Sequence, residues 1–212
     1  MLKKKETFIE KYKEFELLRG RSPHSVFEFC KEFKTNEAAF YEHFNSLAQI
    51  RKQIMVAFIN NTINALDEDA DYTDFNSKEK LLALFYTLFE NFKESRSYLI
   101  HKYNDKGDLK GKMDDWSLFF LQFNARLESI LADAKANNEM KEIPYVSSQY
   151  GKAFKLALIY VFRVWVNDES EKFETTDAAI EKTINVAFEM LSSGPLDALF
   201  DFGRFAIKTK VG

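Results

Sequence analysis

At 212 residues the chain is long enough to bury a sizeable core, either as one domain or as a small module beside a larger one. Only 7 Gly and 3 Pro stand against 46% apolar residues, which excludes an all-β chain full of tight turns and a disordered chain alike. The net charge of -3 does not by itself point to a polyanionic partner, and the single cysteine, Cys30, excludes an internal disulfide and a Cys-rich zinc site.

Helical periodicity then organises the chain from its start. A first helix is predicted over residues 3–18, with Phe8, Tyr12, Phe15 and Leu18 in phase, ended by Gly20 and by Ser22-Pro23. Ser25 caps a short helix over 26–33, with Glu28 at capping-box spacing. Asn36 caps a second short helix over 37–44, and Asn45-Ser46 precede a long one over 47–66. The acidic run 67–74 reads as a loop. Ser77 is expected to cap a helix reaching residue 103, with Leu81, Phe85, Leu88 and Phe92 in one stripe. After a Gly-containing gap at 104–112 comes a helix over 114–138, with Trp116, Phe120, Phe123, Leu127 and Leu131 on one face. The stretch 147–167 is apolar nearly all round, and helices over 176–192 and 195–208 finish the chain. Nothing alternates as a strand does, so the fold class is all-α. Gly203 lies inside the last of these helices, where glycine costs about 1 kcal/mol relative to alanine.

Several classes of function are excluded. The three histidines, His24, His43 and His101, lack metal-ligand spacing, and there is neither a Gly-rich phosphate loop nor a nucleophile motif. No enzyme, catalytic residue, cofactor or metal is therefore expected. The carboxylate pairs Asp114/Asp115 and Glu139/Glu142 read as helix caps and solvated faces. The N-terminus has a basic start without an apolar region behind it, and the most apolar run, 154–166, contains Lys155 and Arg163 and is too short to span a bilayer. A soluble protein of the reducing cytoplasm, with no membrane insertion, is the expectation.

Charge is uneven along the chain. Residues 1–55 hold eleven Lys and Arg against eight acids, a net +3, which leaves -6 for the remainder. Within this mildly basic head, two short helices joined by a tight turn have the dimensions of a helix-turn-helix. The run Ser25-Val-Phe-Glu-Phe-Cys-Lys-Glu-Phe-Lys-Thr-Asn-Glu-Ala-Ala-Phe-Tyr-Glu-His-Phe-Asn-Ser, with its Tyr41-Glu42-His43-Phe44 ending and Gly20 after the first helix, resembles the signature of TetR-family repressors over about the first sixty residues. The resemblance implies a helix-turn-helix module over 1–48, a helical ligand-binding and dimerisation domain over 49–212, a homodimer, double-stranded operator DNA as partner, and release governed by a ligand. The chain departs from the family pattern at Lys34, where a turn glycine is usual, at Glu37, where a basic or small residue is usual, and at Leu47, where a lysine usually opens the fourth helix.

Phe29, Phe33, Phe40 and Phe44 are expected to form the inner face of the module. That leaves Ser25, Thr35, Asn36, Tyr41 and His43 to reach phosphates or base edges, or to pack within the module in the case of Tyr41 and His43. Lys31, Lys34, Arg51 and Lys52 can neutralise phosphates, and Ala38 allows close approach to a groove. A ligand site is expected between the helix of Phe85, Phe89 and Phe92 and the helix of Trp116, Phe120 and Phe123, with Tyr160 among the few polar groups; an apolar or aromatic small molecule suits it, and packed core is the alternative. The resemblance places the dimer on 147–167 and 176–192, where Phe154, Leu158, Val161 and Trp165, with Ile184 and Phe188, supply apolar surface. A second reading rests on Glu37, Leu47 and the 22 Phe: a TetR-shaped accessory protein that holds a lipid or quinone and no longer reads DNA.

Overall fold

The computed structural model describes residues 2–103, 109–139 and 147–192, and every regular element among them is helical. Capping side chains and left-handed residues decide where the first elements begin and end. Helix α1 (Leu2–Arg19) stops at Gly20, whose φ of +65° lets its N–H return to the Glu16 carbonyl at 2.9 Å. Helix α2 (Val26–Glu32) starts on Ser25, whose Oγ accepts from the Glu28 N–H at 3.1 Å. It closes through two backbone bonds: Thr35 N–H to Cys30 O at 3.0 Å and Lys34 N–H to Lys31 O at 3.3 Å, with Lys34 left-handed at φ +51°. This is a Schellman closure, and its left-handed position explains the glycine usual at this point.

Helix α3 (Glu37–Tyr41) is capped by Asn36, whose Oδ1 accepts from the Ala39 N–H at 2.8 Å; it ends at Tyr41, three residues before the expected end. Helix α4 (Leu47–Glu68) follows, with Ser46 Oγ accepting from Gln49 N–H. The acidic run expected to be a loop contains a single 3-10 turn, Ala70–Asp74, held down by buried Tyr72.

The expected helix over 77–103 is broken in two. Helix α5 (Ser77–Lys93) and helix α6 (Arg96–Tyr103) are separated at Glu94-Ser95, where the Ser95 hydroxyl accepts from Lys13 of α1 at 2.9 Å. The cap of α5 is Asn76 and not Ser77: Asn76 Oδ1 accepts from Glu79 N–H at 3.0 Å and Glu79 Oε2 accepts from Asn76 N–H at 2.8 Å, a reciprocal capping box. Helix α7 (Leu109–Asp115) falls mainly in the expected gap at 104–112, helix α8 (Ser117–Ala136) starts three residues after the expected beginning at Asp114, and Asn138 at φ +58° closes α8. Helices α9 (Ser147–Val166) and α10 (Glu174–Ser192) complete the described chain and pack against each other. The expected final helix and Gly203 lie outside the described residues.

The chain forms two compact units, Met1–Asn64 with Leu88–Phe123, and Ala65–Thr87 with Asn124–Gly212. The helix-turn-helix segment is therefore part of a larger unit. The core of this first unit is aromatic, and around Phe92 lie Phe58 at 5.1 Å, Phe89 at 5.4 Å and Trp116 at 6.1 Å between ring centroids. In the second unit, Arg126 stacks over Tyr72 at 5.0 Å while pairing with Asp67 at 2.8 Å, and Lys80 meets Asp133 at 3.1 Å.

The turn from α9 to α10 is organised by Asp168. Its carboxylate accepts from Ser170 N–H and Oγ–H and from Thr176 N–H and Oγ–H, at 2.5–2.9 Å. Burial alone would raise this carboxyl; the hydroxyls of Ser170 and Thr176, then their N–H groups, outweigh it and hold the pKa at about 2.

Candidate nucleic-acid interface

The head is built on Phe8. Its ring lies 6.2 Å from Phe29, 5.8 Å from Phe40 and 6.2 Å from Phe44, so a residue of α1 locks α2, α3 and the chain after α3 together. Phe29, Phe40 and Phe44 are buried as their spacing predicts, and Phe33, partly exposed, completes the cluster 5.3 Å from Phe29. Edge-on aromatic pairs add about 0.5–1.5 kcal/mol each beyond the area they bury. The angle between the two short helices is fixed by this cluster.

On the outer surface, Lys31, Lys34, Asn36, Ala38 and Tyr41 are exposed, and Thr35 is partly so. The structure thus gathers them on α2, the turn and α3. Ser25 and Asn36 spend their oxygens on the caps of α2 and α3, which leaves the Ser25 O–H and the Asn36 amide N–H groups as donors. Tyr41 is half exposed and rests edge-on against Phe40 at 5.3 Å. The Nε2 of His43 is buried, and its ring lies 5.9 Å from the Phe8 ring between centroids, so it packs within the head.

Arg51 and Lys52, expected to neutralise phosphates, meet acids within the chain. Arg51 Nε donates to Asp115 Oδ1 at 3.0 Å and its Nη1 reaches Tyr12 Oη at 3.5 Å, while Lys52 pairs with Asp114 at 2.9 Å. Asp115 is 2% exposed and needs the counter-charge that Arg51 supplies, whereas Asp114, the partner of Lys52, is exposed. Asp115 is accordingly no solvated cap. Burial raises its carboxyl, and Arg51 is the main opposing influence. A second buried pair lies nearby: Glu16, 1% exposed, accepts from Lys102 at 2.9 Å and from Ser22.

Two further cations of the head are paired with acids of α2, Arg19 with Glu32 at 2.6 Å and Arg21 with Glu28 at 2.5 Å. Glu28 is pulled down to about 2, first by Arg21 and then by the His24 N–H it accepts. Among the described residues, Glu37 of α3 and Glu42, just after it, have no such cation.

The residues expected to line a ligand site are placed unequally. Phe89, Phe92, Trp116, Phe120 and Phe123 are buried in the first unit and pack ring on ring, with Trp116 to Phe120 at 5.7 Å. Phe85 is buried in the second unit, and Tyr160, in the same unit, is 56% exposed and therefore not enclosed. The expected dimer residues lie mostly inside the single chain. Phe154, Leu158, Val161, Trp165 and Ile184 are 0–1% exposed within a single chain and offer no area to a partner; Phe188 is partly exposed. The open apolar residues of α9 and α10 are Leu156, Tyr160 and Val186.

Sequence reasoning missed the Glu16–Lys102 pair and the partners of Arg51 and Lys52. The available signal was the adjacent acids Asp114-Asp115 before a tryptophan, which the helical stripe of α8 carries into the core. Among the described residues no helix is long and apolar enough to cross a membrane, and no group of three or more His, Cys, Asp or Glu is placed to hold a metal.

No curated protein and no solved structure matches the chain. Residues 80–206, more than half of its length, match the family model described as "Tetracyclin repressor-like, C-terminal domain". This match falls wholly beyond the helix-turn-helix run at 25–46. The chain belongs to the tetracycline repressor-like regulators.

Proposed function

We propose that the protein is a transcriptional regulator that holds operator DNA as a homodimer through α2, the Lys34 turn and α3, and that an apolar small molecule controls its release. The shape of the head carries this reading: two short capped helices, held at a fixed angle by the Phe8 cluster, present Ala38 and Tyr41 outward beside exposed Lys31 and Lys34. Leu156 and Tyr160 of α9 and Val186 of α10, large apolar side chains left open on two packed helices, support a self-complementary interface.

Binding to DNA from the gene's own upstream region, measured across salt concentrations, tests the reading. Protection of a two-fold symmetric site, weakening as salt rises, is expected. A folded dimer that protects nothing at low salt would sink it.

One observation favours a second reading, an accessory protein of this shape that holds a lipid or quinone and does not read DNA. Arg19, Arg21, Arg51 and Lys52 are all paired with acids, which weakens the head's field toward phosphates. Native mass spectrometry of purified protein distinguishes the two: a co-purifying apolar molecule together with absent DNA binding supports the second, and an empty protein that binds DNA removes it.

A further inference from the structure

Glu37 is the first residue of α3, directly after the Asn36 cap, and among the described residues no lysine or arginine pairs with it. It lies near the buried Cys30 thiol, a neutral group that desolvation pushes up first and the Glu37 charge second. By contrast, Glu28 and Glu32 on α2 are neutralised by Arg21 and Arg19. The reading helix thus carries a partly exposed, uncompensated carboxylate next to exposed Ala38, whose small side chain permits close approach to a base pair.

An ionised carboxylate only accepts hydrogen bonds. Among major-groove edges, guanine offers N7 and O6, both acceptors, and thymine offers O4 and a methyl group; each repels or fails to engage a carboxylate. Adenine has a donor at N6 but sets the N7 acceptor beside it. Cytosine presents its N4 amino donor with no acceptor of its own on that edge; the O6 and N7 acceptors of the pair lie on the guanine side. Resting on the reading of α3 as the DNA-reading helix, we propose that Glu37 is a specificity residue: it selects cytosine at one position of each half-site by accepting from N4–H, and it disfavours guanine and adenine there. The cost of bringing a carboxylate near phosphates is offset only where that donor is present, so the same residue that weakens general affinity sharpens sequence choice.

The test is selection from a randomised duplex library with the full-length protein, the Glu37→Gln variant and the Glu37→Ala variant, at one low salt concentration. Circular dichroism and a thermal melt establish that both variants fold. For the natural chain, cytosine is expected to be enriched on the order of ten-fold over other bases at one position per half-site. Glu37→Gln, which can both donate and accept, moves that position toward adenine. Glu37→Ala flattens it while the other positions keep their preferences, and it raises affinity for unrelated DNA. Cytosine enrichment that survives in Glu37→Ala, or a site in which no position responds to either variant, overturns the proposal while leaving the regulator reading intact. Failure of all three proteins to enrich any sequence overturns both.

Discussion

Arg51 of α4 donates from Nε to Oδ1 of Asp115, at the end of α7, across 64 positions of sequence and 3.0 Å of space. Asp115 is nearly out of contact with solvent, so this pair is judged by what remains when one member is removed. Arg51→Met leaves a buried carboxylate without its cation and is expected to cost about 3–5 kcal/mol in urea unfolding. The double variant Arg51→Met with Asp115→Leu removes both charges and should recover most of that loss. If the double variant were as unstable as the single one, the cost would lie in packing and not in charge.

Lys34 occupies a left-handed conformation that an L side chain enters at a cost of about 1–2 kcal/mol. Lys34→Gly relieves this but adds freedom to the unfolded chain, so stability should stay level or rise by about 1 kcal/mol. On the proposed function the same change weakens DNA binding equally for all sequences and lowers the salt slope by about 1, because one phosphate contact is lost. Isothermal titration at several salt concentrations measures both.

Phe40 is fully buried and rings with Phe8, Phe29 and Phe44, so it has no room to be replaced by a smaller group without a cavity. Phe40→Ala should destabilise the first unit by about 3–5 kcal/mol. Amide exchange in α2 and α3 should accelerate by the corresponding factor.

How much of this was legible beforehand follows from how local each interaction is. Ser25 and Asn36 cap helices whose first turns lie within three residues of them, and Phe29, Phe40 and Phe44 fall in phase on short helices, so local rules locate them. The left-handed site at Lys34 could be inferred from the glycine usual there. Arg51 could not be assigned, because its partner is 64 residues away and a cation on a helix face looks alike whether it meets a phosphate or a carboxylate. The break between α5 and α6 was hidden because Tyr98 and Leu99, both buried, continue the apolar stripe beyond Ser95. On α9 an apolar excess was visible, yet which side meets α10 depends on tertiary packing. The buried set proved to be Phe154, Leu158, Val161 and Trp165, with Leu156 and Tyr160 left outside.

The carboxyl of Asp168 gives a pH dependence whose sign is fixed. Its folded pKa, about 2, lies below the ordinary value of about 3.9, so its contribution is fully present above the latter and disappears as pH falls toward 2. Asp168→Asn should cost about 1–2 kcal/mol at pH 6, as loss of a helix-capping acceptor does. The gap between variant and natural chain in urea midpoints should narrow steadily from pH 5 to pH 2. A gap that stays constant over that range would show that the negative charge is not what holds the turn.

If Leu156 and Tyr160 form a two-fold contact, Leu156→Lys should shift sedimentation from dimer to monomer with helix content unchanged. Both are exposed in the single chain, so the substitution leaves the α9–α10 core untouched. A dimer that persists at micromolar concentration would place the contact elsewhere.

The buried pairs Glu16–Lys102 and Arg51–Asp115 join α1 to α6 and α4 to α7, and Tyr12 of α1 touches Arg51. None of these four helices can open alone without stranding an ion in the interior. Partial unfolding of the first unit is therefore suppressed, and backbone amides in α1, α4, α6 and α7 should exchange with deuterium through one shared opening event, at closely matched rates. The helix-turn-helix thus borrows its rigidity from residues that lie well beyond it in sequence, and a fragment ending after α4 would lack half of each charge pair that keeps it in shape.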